Sequence, residues 1–200
     1  MKRSLILLAL ILLVSPTMAQ VVDPDDDGVG IYFEPCAMTN CVSRDVGEHV
    51  AWLVITHPTS PLGVGSWEMR ITWEGPILPT NWILFGNGID FAPDANEFIV
   101  GVTEPLVNMY TWPAVVVAEV HFLLFDTSYP AEFFIDGVFL HSLPYRAPAY
   151  LDGGEYPNYT TIKELRQSTG GPDFPVATIN GECAVATDDA TWDSVKSMFR

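Results

Sequence analysis

The clearest strand signal in this chain of 200 residues is SWEMRITW, which runs from Ser66 to Trp73. Large apolar side chains alternate there with polar ones: Trp67, Met69, Ile71 and Trp73 against Glu68, Arg70 and Thr72. Successive side chains of a β-strand point to opposite faces, so this period of two predicts one face in a core and one in water. The stretch therefore predicts a sheet that is buried on one side.

Other short apolar stretches repeat this signal and are separated by turn residues such as Gly75-Pro76 and Asn180-Gly181. The predicted strands cover residues 30–34, 48–57, 66–73, 82–85, 89–91, 97–102, 114–125, 133–140 and 175–179, with 133–140 split at the turn dipeptide Asp136-Gly137, while 159–165 stays open between a strand and a helical turn. Residues 48–57 are apolar on both faces, which is typical of a central strand. The absence of a long 3.6-residue period argues against βαβ units, and many short strands separated by turn signals are typical of an all-β antiparallel β-sandwich or barrel.

The first residues of the chain indicate export. A basic start is followed by an apolar run from Leu5 to Val14, and Thr17-Met18-Ala19 supplies the small residues that a signal peptidase reads. The sequence thus predicts a signal peptide over 1–19, an acidic segment over 20–28 and a β-sandwich domain over 29–182. We expect the exported chain to be periplasmic, extracellular or bound to the cell surface.

The remaining residues, 183–200, form a tail with a predicted short C-terminal helix. Its apolar side chains Trp192, Val195 and Phe199 fall on one helical face, with acids before the helix and bases near its end, as the helix dipole favours. Two interpretations stay open: a helix docked on the sandwich, or a tail read by an export or anchoring machinery.

Charge excludes some classes of partner. Cleavage after residue 19 removes Lys2 and Arg3, which leaves 9 − 2 = 7 basic residues against 25 acidic ones, a formal charge of −18. Such a surface repels phosphate backbones and anionic membranes, so we expect no nucleic-acid partner. No apolar stretch after the signal peptide reaches membrane-spanning length, so we expect no membrane span after its cleavage.

Three cysteines, Cys36, Cys41 and Cys183, remain in the exported chain, and export permits disulfides. The pair Cys36–Cys41 would close a short loop at little entropic cost, so this is the pairing we expect. The competing pairing joins Cys36 or Cys41 to Cys183 and would link the two ends of the domain.

An acidic string near the start predicts a calcium site. The residues from Asp23 to Glu34 fit the pattern D-x-[DN]-x-[DN]-G-x5-E of a calcium-binding loop. The helices that normally flank such a loop are missing from the pattern, and a strand ending at Glu34 would keep that residue away from the ion. The prediction is therefore a looser calcium site formed by Asp23, Asp25 and Asp27; the alternative is a solvated acidic segment.

Candidate ligand-binding residues are aromatic side chains near prolines in predicted loops: Tyr110, Trp112, Tyr145, Tyr150 and Tyr156. Exposed rings of this kind stack on sugars or anchor a protein partner. The alternative is that they pack the ends of the sandwich.

Catalytic motifs are lacking in the sequence. A glycosidase would need two facing carboxylates, which the glutamates could supply only by chance placement: Glu68, Glu74, Glu119 and Glu132.

The Ser66–Trp73 strand and the long strand Ala114–Phe125, followed by a polar break and Ala131–Ile135, resemble cohesin-type sandwiches of exported bacterial proteins over residues 45–180. The pattern is also similar to carbohydrate-binding modules. The cohesin resemblance implies a nine-stranded jelly-roll that binds a dockerin through one sheet face. We therefore expect a non-catalytic module with a protein or glycan partner. The alternatives are a carbohydrate-active hydrolase or a structural component of the cell surface or matrix.

Overall fold

The computed structural model describes residues 23–107 and 113–183. Within these ranges the chain forms thirteen strands: β1 Gly28–Tyr32, β2 Cys41–Val42, β3 Gly47–Thr56, β4 Val64–Glu74, β5 Ile77–Leu84, β6 Ile89–Asp90, β7 Glu97–Gly101, β8 Ala114–Leu124, β9 Ala131–Asp136, β10 Ala149–Asp152, β11 Ile162–Glu164, β12 Arg166–Gln167 and β13 Ala177–Ile179. A single 3₁₀ turn at Gly153–Glu155 follows β10. The predicted signal peptide and C-terminal helix lie outside the described residues and stay predictions.

The strands form two sheets. Sheet A has the order β12-β1-β3-β8-β5, and sheet B has the order β11-β10-β4-β9-β13-β2, with β7 paired to β4 and β6 paired to β7. Most pairs are antiparallel, as predicted, but β1–β12 and β2–β13 are parallel. The predicted all-β sandwich is confirmed, with two mixed sheets in place of purely antiparallel ones.

The core lies between the two sheets. On β4 the side chains of Trp67, Met69 and Ile71 are buried, which confirms the predicted inward face. Trp67 lies 5.9 Å from Phe98 on the neighbouring strand β7, measured between ring centroids. Strand β3 lies between β1 and β8 in the middle of sheet A, as its two apolar faces indicated. Packing of these large side chains is the main source of stability that the fold offers.

Strand β4 organises the part of sheet B that matters for function. Glu68 pairs with Ile99 of β7 on one edge and with Ala149 of β10 on the other. Arg70 likewise pairs with β7 on one edge and with Asp136 of β9 on the other. Strands β9 and β10 therefore follow one another along the same edge of β4, as one strand interrupted by residues 137–148. The predicted split of 133–140 at Asp136-Gly137 is confirmed, because β9 ends at Asp136, but residues 137–140 leave the sheet and do not form a strand.

The predicted Cys36–Cys41 disulfide is wrong. The disulfide joins Cys41 to Cys183, with a Cα–Cα distance of 5.4 Å, and Cys36 is a free thiol. Parallel pairing of β2 with β13 explains the proximity, because Thr178 lies opposite Cys41 and Ile179 opposite Val42, so Cys183 is only four residues beyond the paired segment. The sulfur of Cys36 lies in the turn that follows β1, and burial together with the charge of Glu34 raises the pKa of its thiol.

Within residues 23–107 and 113–183 no helix has the length and apolar character needed to cross a membrane.

Candidate functional site

A groove of about 250 Å³ lies on the outer face of sheet B, the face turned away from the core. Four strands contribute to it, and the residues that line it are Ser66, Trp67, Glu68, Phe91, Ile99, Val100, Gly101, Ser142, Ala149, Tyr150, Leu151 and Ile162. Its floor forms because Ile99, Glu68 and Ala149 lie side by side on adjacent strands. Ala149 and Gly101 are small, so the floor is recessed there.

The rim of the groove carries exposed apolar side chains. Phe91 is 68% exposed and lies over Gly101, where an added Cβ would be 3.1 Å from its ring. Ile162, on β11 at the other side, is 38% exposed. Large apolar side chains that remain in water around a recess are typical of a binding surface. We call this surface the groove face; it comprises Phe91, Ile99, Ala149, Leu151 and Ile162.

The loop of residues 137–148 lies across the same outer face and is held there by glutamates. Both carboxylate oxygens of Glu68 accept hydrogen bonds of 2.7 Å from Ser142, one from its backbone N–H and one from its hydroxyl. The loop also donates from the backbone N–H of Phe139 to Glu97, at 2.9 Å. Charge-assisted bonds of this kind are stronger than neutral ones, so the loop is firmly attached to β4 and β7.

The burial of Glu68 corrects the prediction that the polar face of β4 is exposed to solvent. Alternation placed its side chain in water, but it is 6% exposed because the 137–148 loop covers it. The sequence pattern correctly gave the direction of the side chain, away from the core. It could not show that a distant loop would return to cover that direction.

The two ends of the loop are joined at its base. Arg146 forms a 2.9 Å ion pair with Asp136, and its Nε donates to the carbonyl of Gly137 at 2.7 Å. Further out, Phe139 and Leu140 are 73% and 62% exposed. The loop thus adds two exposed apolar side chains to the same side of the sandwich as the groove face.

A polar network at the end of the sandwich ties the two sheets together. Asp27, just before β1, accepts hydrogen bonds of 2.7 Å from the backbone N–H and hydroxyl of Thr59, and another from the phenol of Tyr150 on β10. Lys163 donates to the hydroxyl of Thr59 at 2.9 Å and pairs with Asp152 at 3.2 Å. Burial raises the pKa of the Tyr150 phenol, and the bond to Asp27 raises it further.

The predicted ligand-binding aromatics do not form one site. Tyr145 is half exposed and donates its hydroxyl to Glu164, and Tyr156 is also half exposed but lies outside the groove lining. Tyr150 lines the groove but is only 1% exposed, so the expectation of an exposed ring is wrong there; its side chain packs in the core and reaches Asp27. Tyr110 and Trp112 lie outside the described residues.

The three aspartates of the predicted calcium site have different surroundings. Asp23 is buried beside Thr56, Asp25 is exposed, and the carboxylate of Asp27 is used by Thr59 and Tyr150. Among the described residues no group of three or more His, Cys, Asp or Glu side chains is arranged to hold a metal ion. Calcium binding by these three aspartates stays a prediction.

Sequence reasoning did not identify the exposed apolar side chains on this side of the sandwich. Phe91 was predicted to end a strand, and Phe139 and Leu140 to lie in a strand segment after the split at Asp136-Gly137, whereas all three are exposed in loops. The available signal was the turn dipeptide Asp136-Gly137 followed directly by Val-Phe-Leu, an apolar run with no polar alternation. The dipeptide indicated the break in the strand, but it could not show which residues of the run would be exposed, since Val138 is buried whereas Phe139 and Leu140 are not.

Comparison with known proteins places the fold. No known protein family and no curated protein matches the sequence. The sixth cohesin of scaffoldin B from Acetivibrio cellulolyticus, solved in complex with a Cel5 dockerin, has a TM-score of 0.50 at 10% identity, over 79% of this chain and 100% of that one.

Two further solved structures are similar at lower scores. A type II cohesin domain from the cellulosome of Acetivibrio cellulolyticus has a TM-score of 0.45 at 13% identity, over 78% of this chain and 96% of that one. A non-cellulosomal cohesin from Archaeoglobus fulgidus gives 0.42 at 9% identity, over 78% and 90%. The first of the three structures, together with the strand order described above, shows that this chain folds as a cohesin-like β-sandwich.

Proposed function

We propose that this chain is an exported, non-catalytic module that binds a protein partner through the groove face of sheet B. The observation that carries the proposal is the exposed apolar rim around a recessed floor, with Phe91 and Ile162 on opposite sides. Burying such side chains against a partner removes apolar surface from water, which is the dominant favourable contribution in most protein associations.

The chemistry of the groove favours a protein side chain over a sugar. Its lining offers few polar side chains, namely Ser66, Glu68 and Ser142, and the last two are hydrogen-bonded to each other. A sugar needs several polar groups to replace the water around its hydroxyls, whereas an apolar side chain needs only a recess of suitable shape. A glycan partner is therefore the second candidate.

Two further observations support the proposal. The cohesin from Acetivibrio cellulolyticus was solved with a protein module, a dockerin, bound to it. The Cys41–Cys183 disulfide supports export, because disulfides persist mainly in oxidising compartments.

A hydrolase has less support from the positions of the glutamates. Glycoside hydrolysis needs two carboxylates that face the same bond. Among the described residues, Glu68 is the one acidic side chain that lines the groove, and both of its oxygens accept hydrogen bonds from Ser142. Glu74 and Glu132 are cross-strand neighbours on β4 and β9, but neither lines the groove.

The test is a quantitative capture experiment on the exported domain. Wild-type protein and the double variant Phe91→Ser, Ile162→Glu are immobilised and exposed to the secreted proteins of the source organism, and a captured protein is then purified and titrated. We expect the double variant to bind at least about tenfold more weakly, because two exposed apolar contacts of the rim are removed. Phe174→Ser is the matched control, since Phe174 is 57% exposed and lies outside the groove lining.

Equal loss in the control and the double variant would contradict the groove face as the binding surface. If the wild-type protein binds a soluble oligosaccharide saturably and the double variant does not, the partner is a glycan and not a protein. If neither a protein nor a glycan binds saturably, the proposed binding function is replaced by a structural role at the cell surface.

A further inference from the structure

The outward side of sheet A, opposite to the groove face, carries a buried cluster of polar side chains packed directly above two glycines of β1. Neither Gly28 nor Gly30 has a positive φ, so their conformation does not demand glycine. Close packing above the strand requires glycine instead. An added Cβ on Gly30 would lie 2.7 Å from the hydroxyl of Ser168 and 3.0 Å from the ring of Tyr32, and one on Gly28 would collide with the Asp23 carboxylate. The two glycines leave room for polar groups to meet over the strand.

Those polar groups are oxygen-bearing side chains from four parts of the chain. The ring of Tyr32 lies back over Gly30, and its hydroxyl is completely buried. Thr56 of β3 is opposite Gly28 and donates its hydroxyl to Asp23 at 3.3 Å. Ser168 follows β12 on the other side of β1, its backbone N–H bonded to the carbonyl of Val29. We call the set Asp23, Tyr32, Thr56 and Ser168 the Asp23 cradle.

Two hydroxyls of the cradle have no partner within the described part of the chain. They are those of Tyr32, which is 0% exposed, and Ser168, which is 6% exposed. Both belong to the same cluster: burial and the charge of Asp23 raise the pKa of Tyr32, whereas the hydroxyls of Ser168 and Thr56, which lie near the phenol without completing a well-formed hydrogen bond, lower it. A buried hydroxyl without a partner costs free energy, so a native structure normally gives it one.

The carboxylate of Asp23 has an equally incomplete environment. It is 3% exposed, and among the described residues it accepts hydrogen bonds from Thr56 and from the backbone N–H of Asp25; burial raises its pKa, which these bonds and the nearby His57 lower only in part. No lysine or arginine among the described residues forms an ion pair with it. Burying an unpaired charge is strongly unfavourable, and a bound cation removes that cost.

We propose that the Asp23 cradle binds a small hard cation, coordinated by the carboxylate of Asp23 and by hydroxyl oxygens of Tyr32, Thr56 and Ser168. Ca²⁺ is a hard cation that takes oxygen ligands, a carboxylate among them, and Na⁺ is a hard cation of similar size and lower charge. The site shares only Asp23 with the calcium loop predicted from the sequence, since it uses hydroxyls in place of Asp25 and Asp27. It is also independent of the proposed function, because the groove face lies on the other sheet.

The experiment measures cation binding to the exported domain after treatment with a chelator. Ca²⁺ and Na⁺ are titrated separately by calorimetry and by thermal unfolding, with choline chloride at matched ionic strength as the reference. We expect one ion per chain and a rise in Tm of roughly 5–10 °C at a hundredfold excess over Kd for the preferred cation. Comparing the two titrations identifies that cation.

Three variants and one control decide the location. Asp23→Asn removes the charge, Tyr32→Phe keeps the ring but removes the hydroxyl, and Gly30→Ala places a methyl group against Ser168 and Tyr32. Each variant should lower the affinity for the cation at least about tenfold. Asp25→Asn is the control, since the exposed side chain of Asp25 lies outside the cradle and its backbone N–H is retained. Tyr32→Phe keeps the test decisive if Asp23→Asn fails to fold.

The proposal is overturned if neither cation binds or raises the Tm above the choline reference. It is also overturned if Tyr32→Phe and Gly30→Ala bind as well as wild type. If Asp25→Asn loses as much cation affinity as Asp23→Asn while Tyr32→Phe binds as wild type does, the ion lies in the calcium loop predicted from the sequence and not in the Asp23 cradle.

Discussion

Removal of the Cys41–Cys183 disulfide should destabilise the domain strongly. Strand β2 is only two residues long and lies at the edge of sheet B, where it pairs with β13 alone. The disulfide is therefore the main covalent restraint on both this edge strand and the segment after β13. Its two cysteines are separated by 142 residues, so the bond restricts nearly the whole domain in the unfolded state.

The magnitude follows from the length of the closed loop. For a sequence separation of 142 residues, the chain-entropy relation gives about 5 kcal/mol at 25 °C. Measured losses usually fall below this value, because the unfolded chain retains some structure. We expect the variant Cys41→Ser, Cys183→Ser to lose about 3–5 kcal/mol of unfolding free energy.

Urea denaturation of the exported domain measures this loss, with the midpoint and slope fitted separately. Cys36→Ser is the control, since Cys36 is a free thiol, and it should change the unfolding free energy by less than about 0.5 kcal/mol. Peptide mapping of the oxidised protein should find Cys41 linked to Cys183. A larger loss in Cys36→Ser than in the double variant, or a mapped Cys36–Cys41 link, would refute the reasoning.

Three further predictions concern the polar contacts. Tyr150→Phe should lower the unfolding free energy by about 1.5–3 kcal/mol in urea denaturation, because it removes a buried hydrogen bond to the Asp27 carboxylate; no loss would contradict the role of this bond in joining the sheets. Glu68→Ala should speed amide exchange in residues 137–148 by roughly tenfold or more while the strands stay protected, and unchanged exchange would show that the loop is held elsewhere. Hydrogen bonds from the hydroxyl of Thr161 and nearby backbone N–H groups lower the pKa of Glu155 to about 2, below its ordinary 4.5. Since its folded pKa is depressed, this contribution to stability is present above pH 4.5 and is lost as the pH falls towards 2; exchange in residues 155–161 should rise over that window in wild type but stay flat in Glu155→Gln.

Alternation was enough to predict the sandwich. The period of two in Ser66–Trp73 identified the inward face of β4, and the doubly apolar stretch 48–57 identified the central strand of sheet A. Both signals are local, because each strand must bury its own apolar face whatever its neighbours are. The two parallel pairs could not be predicted in this way, since they depend on how distant segments meet at the sheet edges.

The groove face and the disulfide depend on such distant contacts. The local sequence predicts that Glu68 is solvated, because it does not show that residues 137–148 cover this side chain. It also favours Cys36 as the partner of Cys41, because it does not show that β13 pairs with β2. The buried hydroxyls of the Asp23 cradle are equally hidden, because Tyr32 and Ser168 are far apart in sequence and meet only across β1 and β12. Local propensity predicts elements, whereas these features arise from tertiary pairing.

The interruption between β9 and β10 has a consequence for how such a domain can diversify. The two halves keep their register on β4 whatever lies between them, and the Asp136–Arg146 pair closes the base of the excursion. Insertions, deletions or new residues at its tip therefore leave the frame of the sandwich intact. A lineage could acquire a new specificity there without rebuilding its architecture, and an engineer could graft a foreign peptide at the same position.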